Sequence, residues 1–545
     1  MNKISRRTLL KAAGLASTGA ILAACQPALS TTTTAATTAA TQSSGESATK
    51  APQPTQVPPK KEVVKITLVE SWFGIPQYKE SLEPINKAIS EKMQSEGLAI
   101  EIQSMILDDH TNKYPLLYSS GDGFTMAFDA PWNKMTTLRS QGALLALEDL
   151  IEKLGPQLKE EITEKIYNAN LVDGHIWGIP AAYYYSGTTG VVFREDLRKK
   201  YNAEMPTSEG GWRSLESFLQ AIKENVPEML PFANQTNWSM AGVHSGRTAW
   251  GANGPIKTGV IIPDITKGFT FGDEEEQEPF LDAVKILREW WEKGYINKTD
   301  LPSSANSQNA QVDFIYPGKA AACIENEPEF KRIDQDKQLK TSIPDGELMG
   351  VDMTGMRAGK VKGIGQLKQW NFIVFNALAP KEQAEAGIQF FNWLSSSQDN
   401  MDLWLMGVDG VNYKKEDNLR FSEIAGVDQT RNYRRMWYVS GLSGRYQRQP
   451  VDLPKEAEEA VKFYATEENW IFSPYEQFEP DVKALEVEIS KLNAVYDEAV
   501  HGLNTGQVVP EDGVAKMKEM LDAAGRQEFK QKLQAQLDAY IAAHK

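Results

Sequence analysis

Two stretches of this chain place aromatic rings where a strand should end: Glu70-Ser71-Trp72-Phe73-Gly74 and Phe128-Asp129-Ala130-Pro131-Trp132. A third sets three tyrosines in a row, Tyr183, Tyr184 and Tyr185. Neighbouring side chains on an extended segment point to opposite faces, so at least one of these tyrosines must face a cleft or solvent. A ring can cover the C–H face of a small molecule and remove apolar area from water. A carboxylate beside it accepts the stronger, charge-assisted hydrogen bonds. Rings and acids together suit a ligand with hydroxyls around its rim and C–H patches on its faces. The same rings could equally plug a core, and only their placement decides.

The residues that carry covalent chemistry are missing. There is no Gly-X-Ser-X-Gly elbow, no His-Glu-X-X-His and no phosphate-binding Walker loop. The histidines, His110, His175, His244, His501 and His544, are scattered, and the only cysteines are Cys25 and Cys323. No catalytic residue, metal site or cofactor is expected. The acidic run "GDEEEQE" at 272–278 lacks the alternating Asp/Asn ligands and central glycine of a calcium loop, so it is expected to be a solvated acidic face. Cys323, within "AAACIE", reads as a small buried side chain.

The rings need a frame to hold them. "VVKITLV" alternates Val64, Ile66 and Leu68 with Lys65 and Thr67, the period of a strand. Leu82, Ile85, Ile89 and Met93 then share one helical face, with Gly97 as the stop, and Ile100 and Ile102 alternate again. Strand, helix, strand at this spacing predicts a parallel sheet with helices on its faces. Ligands of such sheets sit beyond the carboxyl ends of the strands, where Trp72 and Trp132 fall. "NFIVFN" predicts a further strand, followed by one helix from Pro380 to Gly407. Trp290 and Trp291 read as packing residues of a helix. Phe529, Leu533, Leu537 and Ile541, four apart, predict a C-terminal helix packed along one face.

At 545 residues the chain must hold more than one compact unit. Its net charge of −15 argues against a nucleic-acid partner. Lys3, Arg6, Arg7 and Lys11 precede a modestly apolar stretch from Ala12 to Ala24, the layout of an export signal. Ser5-Arg6-Arg7-Thr8-Leu9-Leu10-Lys11 resembles the twin-arginine signal. Leu22-Ala23-Ala24-Cys25 resembles the bacterial lipobox, which makes Cys25 the expected lipidation site. Residues 26–60 are rich in Thr, Ala, Ser and Pro and are expected to form a disordered tether. The protein is thus expected to be exported and held by acyl chains on the outer face of the cytoplasmic membrane, in a periplasm or at the cell surface.

From residue 63 onward the motifs run in a familiar order. "NKYPLLYSSGDGFTMAFDAPW", "VDGHIWGIP", "VVFREDLRKKYN", "GKAAACIE", "GVDGVNY" and "AAGRQEFKQKLQAQLDAY" together resemble the extracellular solute-binding proteins of family 1, the sugar-binding lipoproteins of ABC importers, and among them the LipO-type branch. Cys323 stands where that family usually has methionine, and Asp409 and Asn412 depart from its Gly-X-Glu-Gly-X-His-Tyr turn.

The resemblance implies an α/β protein with the two-lobe, type II periplasmic-binding-protein-like fold, each lobe a mainly parallel sheet flanked by helices and joined by a hinge. One lobe would hold 61–180 plus 370–406, the other 181–369 plus 407–545. A carbohydrate, most simply an oligosaccharide, would bind between them and pass to permease subunits from a monomeric binding protein. The implied contacts are Trp72, Asp129, Trp132, Tyr183, Tyr184, Tyr185, Glu325 and Trp370, with Trp238, Trp250 and Arg434 as a second set. Two alternatives stay open: a peptide or other polar solute in the same importer role, and a surface glycoside hydrolase using two carboxylates about 5 Å apart.

Overall fold

The computed structural model describes residues 62–71, 79–107, 110–120, 123–131, 133–181, 188–236, 257–263, 268–302, 310–360, 362–365, 367–417, 419–428, 431–435 and 448–544. Residues 61–545 form one compact unit. In chain order the elements that matter for the site are β1 (Val64–Ser71), α1 (Lys79–Ser95), β2 (Ile100–Leu107), β3 (Met126–Asp129), β4 (Ile179–Pro180) and β5 (Thr189–Arg194). They are followed by α2 (Glu278–Lys293), β6 (Ala322–Asn326), α3 (Pro328–Ser342), β7 (Leu348–Asp352) and β8 (Phe372–Phe375). The last are α4 (Lys381–Leu394), α5 (Gln398–Leu405), α6 (Lys455–Ala465) and α7 (Arg526–Ala543).

The first sheet runs β2-β1-β3-β8-β4. β1 pairs parallel with β2 and β3, and β8 runs back antiparallel between β3 and β4. The period-two pattern of β1 turns Ile66 and Leu68 inward against Leu82, Ile85, Ile89 and Met93 of α1, all buried. The same core continues through Trp404 and Met406 to Tyr413, Phe421 and Tyr433. The helix expected from Pro380 to Gly407 is two. Ser395, Ser396 and Ser397 interrupt it, and the Ser397 hydroxyl accepts from Asn400 N at 3.2 Å to cap α5. A serine that binds its own backbone competes with helix propagation and favours a fresh start.

A charged pair closes this core. Glu70, on β1, meets Arg435, and both side chains are wholly buried. Ser104 donates to Glu70, and Arg435 Nε donates to the Tyr433 hydroxyl at 2.8 Å. The guanidinium also lies over the Trp404 ring, 3.4 Å from its centroid. Buried charges survive only when paired and hydrogen-bonded in this way.

The second sheet is built differently from the first. β5 is central and pairs antiparallel with both β6 and β7. Gly190 admits β7 because a Cβ there would lie 2.0 Å from Val351 O. Gly350 does the same for the start of α3, where a Cβ would lie 2.0 Å from Pro328 O. One face of the sheet packs Val191 and Phe193 in a core with Trp290, Phe529, Leu533 and Leu537. The other packs Val192, Cys323, Leu339 and Leu348.

The acidic run 272–278 is not a solvated face. Asp273, Glu274 and Glu275 are each less than a tenth exposed. Arg526, fully buried at the start of α7, donates to Glu275 at 2.6 Å, and Lys530 donates to Asp273 at 2.7 Å. The Tyr496 hydroxyl donates to Glu274 at 2.8 Å. Burial raises the Asp273 carboxyl, but Lys530, Gln527 and Arg526 outweigh it and hold it below its ordinary value.

Two of the chain's crossings between the sheets run side by side. Ala181 N donates to Asn371 O at 3.0 Å, and Gln369 N donates to the Asn170 side chain at 2.9 Å. Asn170 Nδ2 in turn donates to Leu367 O at 2.9 Å. Residues 476–479 grip the second crossing from the far end of the chain: Glu476 accepts from Leu367 N at 3.1 Å, and Lys368 pairs with Glu479. Burial pushes the half-buried Glu476 carboxyl up to about 7, against the Leu367 N–H and the charges of Lys368 and Lys165. Among the described residues no helix is long and apolar enough to cross a membrane.

Two outcomes follow. Arg435→Met strands the Glu70 carboxylate and lowers unfolding free energy by about 3–5 kcal/mol, whereas Arg435→Met with Glu70→Gln loses less, as read from denaturant midpoints. A carboxyl raised on folding contributes fully below its unfolded value of 4.5, and the contribution is lost as pH rises through about 7. Melting temperatures of the parent should therefore fall relative to Glu476→Gln between those two values, and parallel curves would contradict the assignment.

Candidate functional site

The strand ends make two rows. In the first sheet Ser71 is paired with Leu107, and Phe372 is paired with Asp129 on one side and Pro180 on the other. In the second, Thr189 is paired with Asn326, and Met353 N donates to Thr189 O at 3.2 Å. The chain passes from one row to the other between Pro180 and Thr189, about 30 Å at full stretch. Thr189 therefore lies within that reach of Pro180.

Asp129 lies in the first row and is wholly buried. Its Oδ1 accepts from Ala130 N at 2.8 Å, Asn133 Nδ2 at 3.0 Å and Lys134 N at 3.1 Å. Those bonds fold the turn that leads into the helix Met135–Ser140. Its Oδ2 has no hydrogen-bond partner. Burial pushes the carboxyl up to about 7 in spite of the donors on Oδ1. Half of this carboxylate builds the turn and the other half is left over.

Trp370 is half-buried on the second crossing, between Gln369 and Asn371. Glu325 ends β6 and is 7% exposed. It accepts from Gln311 Nε2 at 2.8 Å, Gln335 Nε2 at 2.6 Å, its neighbour Asn326 N at 2.8 Å and Lys331 Nζ at 3.5 Å. So many donors occupy its lone pairs that it orders its surroundings instead of reaching outward. Arg434 pairs with Asp334 of α3 at 3.3 Å and lies over the Phe421 ring, 5.3 Å from its centroid. Phe421 belongs to the first core and α3 packs on the second sheet, so Arg434 spans the two. Lys337 of α3 pairs with Glu423 in the same sense. Trp72, Trp132, Tyr183, Tyr184, Tyr185, Trp238 and Trp250 lie outside the described residues, as does Cys25.

Three residues that the sequence motifs do not single out stand around Glu325. Tyr316 is half-buried, and its phenol is raised by burial and by the charges of Glu325, Cys323 and Asp334. Lys331 lies one turn into α3, its amine lowered by burial but raised overall by Glu325 and Glu327. Glu327 caps α3 with φ 48° and ψ 50°, the left-handed region that a glutamate rarely enters. Its amide donates to Thr188 O at 2.7 Å, which ties it to the first crossing. Its carboxyl is raised by burial and by the like charges of Glu325 and Glu329, with Lys331 opposing. Pro328 marks the helix start in the sequence, but nothing in "ENEP" announces the backbone of Glu327.

The strand ends of the two sheets offer acceptors, a phenol and an indole, groups able to hold hydroxyls. Among the described residues no group of three His, Cys, Asp or Glu is arranged to hold a metal ion.

Comparison with known proteins covers nearly the whole folded part. Residues 474–542 match a domain of unknown function (DUF3502). A "Carbohydrate ABC transporter substrate-binding protein" of Streptococcus pneumoniae is 22% identical over 467 residues, covering 85% of this chain and 88% of that protein. The crystal structure of the N-glycan transport solute binding protein NgtS from Streptococcus pneumoniae superposes with a TM-score of 0.68 at 18% identity, covering 88% of this chain and all of that one. An HMO-binding, ABC-transporter-associated solute binding protein from Bifidobacterium longum infantis gives a TM-score of 0.56 at 14% identity, covering 88% and 99%. The chain has the two-lobe, type II solute-binding-protein fold, and the resemblance to the extracellular solute-binding proteins of family 1 carried by its sequence motifs is met by a relative and by structures of that kind.

Proposed function

We propose that the protein is the solute-binding component of an ABC importer, which captures a carbohydrate oligomer between its lobes, releases it unchanged and delivers it to permease subunits. The observation that carries this reading is the likeness over 88% of the chain to a solute-binding protein also described in complex with Man5GlcNAc, with a TM-score of 0.62 for that complex. The site supports it independently. Two rows of strand ends meet at paired crossings, with Asp129, Trp370, Tyr316 and Glu327 around them.

The same proposal covers the parts that lie outside the described residues. Residues 1–25 serve as the export signal, Cys25 carries the lipid, and 26–60 form the leash that keeps a monomeric protein on the outer face of the membrane. The first lobe holds 61–180 plus 370–406, where β8 returns; the second holds 181–369 plus 407–545. Trp72, Trp132 and the tyrosines 183–185 follow strand ends of the first row in sequence and supply its stacking rings.

The test is calorimetric titration and thermal shift of the purified chain with neutral oligosaccharides, acidic oligosaccharides and peptides. Binding of an oligosaccharide without new reducing ends is expected, and a ligand at a hundred times its dissociation constant should add about 2.7 kcal/mol of apparent stability. Binding confined to peptides, or release of reducing sugar, would refute the reading. Trp132→Ala should weaken oligosaccharide binding more than tenfold with an unchanged melting temperature; an equal loss of stability would place the ring in the core instead.

A further inference from the structure

We infer that Glu327 is the second lobe's contact carboxylate, and that it selects an uncharged, hydroxyl-rich ligand over an acidic one. This rests on the carbohydrate-capture reading above and adds to it a residue and a charge class.

Glu327 keeps part of its surface open, yet its carboxyl is raised by burial, the combination expected of a group bordering a recess inside the fold. Its carboxylate makes no hydrogen bond among the described residues, in contrast to its neighbours. Glu325 takes donors from Gln311, Gln335 and Asn326. Glu329 takes Asp352 N at 3.0 Å, Arg357 Nη1 at 2.6 Å and the Tyr464 hydroxyl at 3.2 Å. Glu327 alone of the three offers empty lone pairs.

Its backbone is held where it costs energy to be. A left-handed glutamate persists only where the surroundings over-determine it, and such residues gather at ligand sites. The surroundings here do so on three sides. Thr188 O takes the Glu327 amide, Gly350 lets β7 press against Pro328 O, and Glu329 is locked to Asp352 and Arg357. A glycine or asparagine would sit there without strain, so the cost is borne for the carboxylate.

Charge then decides the class of ligand. The cations nearby are already engaged: Lys331 leans on Glu325 at 3.5 Å and Arg434 on Asp334 at 3.3 Å. Among the described residues Glu327 has no cation within ion-pair distance, and Asp129 Oδ2 in the first row has no partner either. A hydroxyl donor satisfies such acceptors, whereas the carboxylate of a uronate carries no donor and meets like charge to the extent that these raised carboxyls are ionised. Like-charge contacts of this kind reject wrong partners.

The experiment is calorimetric titration of the full chain and of Glu327→Gln and Glu327→Gly, with Man5GlcNAc and nystose as neutral probes and an alginate oligomer as the acidic one. The parent should bind a neutral probe at least a hundredfold more tightly than the alginate oligomer. Each variant should lose tenfold or more for the neutral probe. Glu327→Gly should melt no lower than the parent, since glycine relieves the left-handed backbone, and Glu327→Gln should narrow the gap between neutral and acidic probes. Undiminished neutral binding in both variants, or alginate bound more tightly than the neutral probes, overturns the inference while leaving carbohydrate capture standing. Failure of the parent to bind any of the three removes both.

Discussion

Asn170 holds the second crossing at the Gln369 amide and the Leu367 carbonyl, and Ala181 holds it again at Asn371. The placement of both strand-end rows depends on those few bonds. They fix β4 beside β8 at the point where the chain leaves the first sheet, so that β5 must begin close to where β4 ends. The bonds are between backbone groups and one short amide side chain. Residues 476–479 add a grip from outside through Glu476 and Lys368.

Much of this was legible in the sequence wherever the information is local. β1, α1 and β2 follow from alternation and from one apolar helical face. α7 follows from Phe529, Leu533 and Leu537, which are buried as their spacing predicts. Cys323 and Trp290 are buried packing residues, as their contexts predict. What the sequence hides is non-local or conformational. The run Asp273 to Glu275 reads as a wet surface because the cations that bury it, Arg526 and Lys530, are far along the chain. Ser395 to Ser397 look like any polar residues of a helix until one of them turns to cap the next. For the site, Asp129 was legible as an acid at a strand end and Glu325 only through the family resemblance, and their hydrogen bonds show the first half-used and the second used up. Glu327 was not legible, because a strained backbone has no periodicity.

The buried charges serve uniqueness more than net stability. Replacing an ion pair with apolar groups of equal volume is often neutral or better, while removing one partner is costly. Glu70 with Arg435, and Arg526 with Asp273 and Glu275, each join elements far apart in sequence. Each therefore penalises any packing that pairs the wrong segments. The Glu70 pair fixes the 433–435 segment against β1, and with it the approach of Arg434 to Asp334. The Arg526 cluster fixes α7 beneath the second sheet.

That last placement governs when the molecule can become itself. Phe529, Leu533 and Leu537 lie in the same core as Val191 and Phe193, and the charges of residues 273–275 wait on Arg526 and Lys530. The half of the protein begun at Thr189 thus has an open wound until the final helix has left the ribosome. Its apolar face and unpaired acids are exposed through nearly the whole of synthesis, the period when nascent chains are most prone to stick. A chain cut short before Arg526 would not lose a decorative tail; it would present an unfinished interior to the cell.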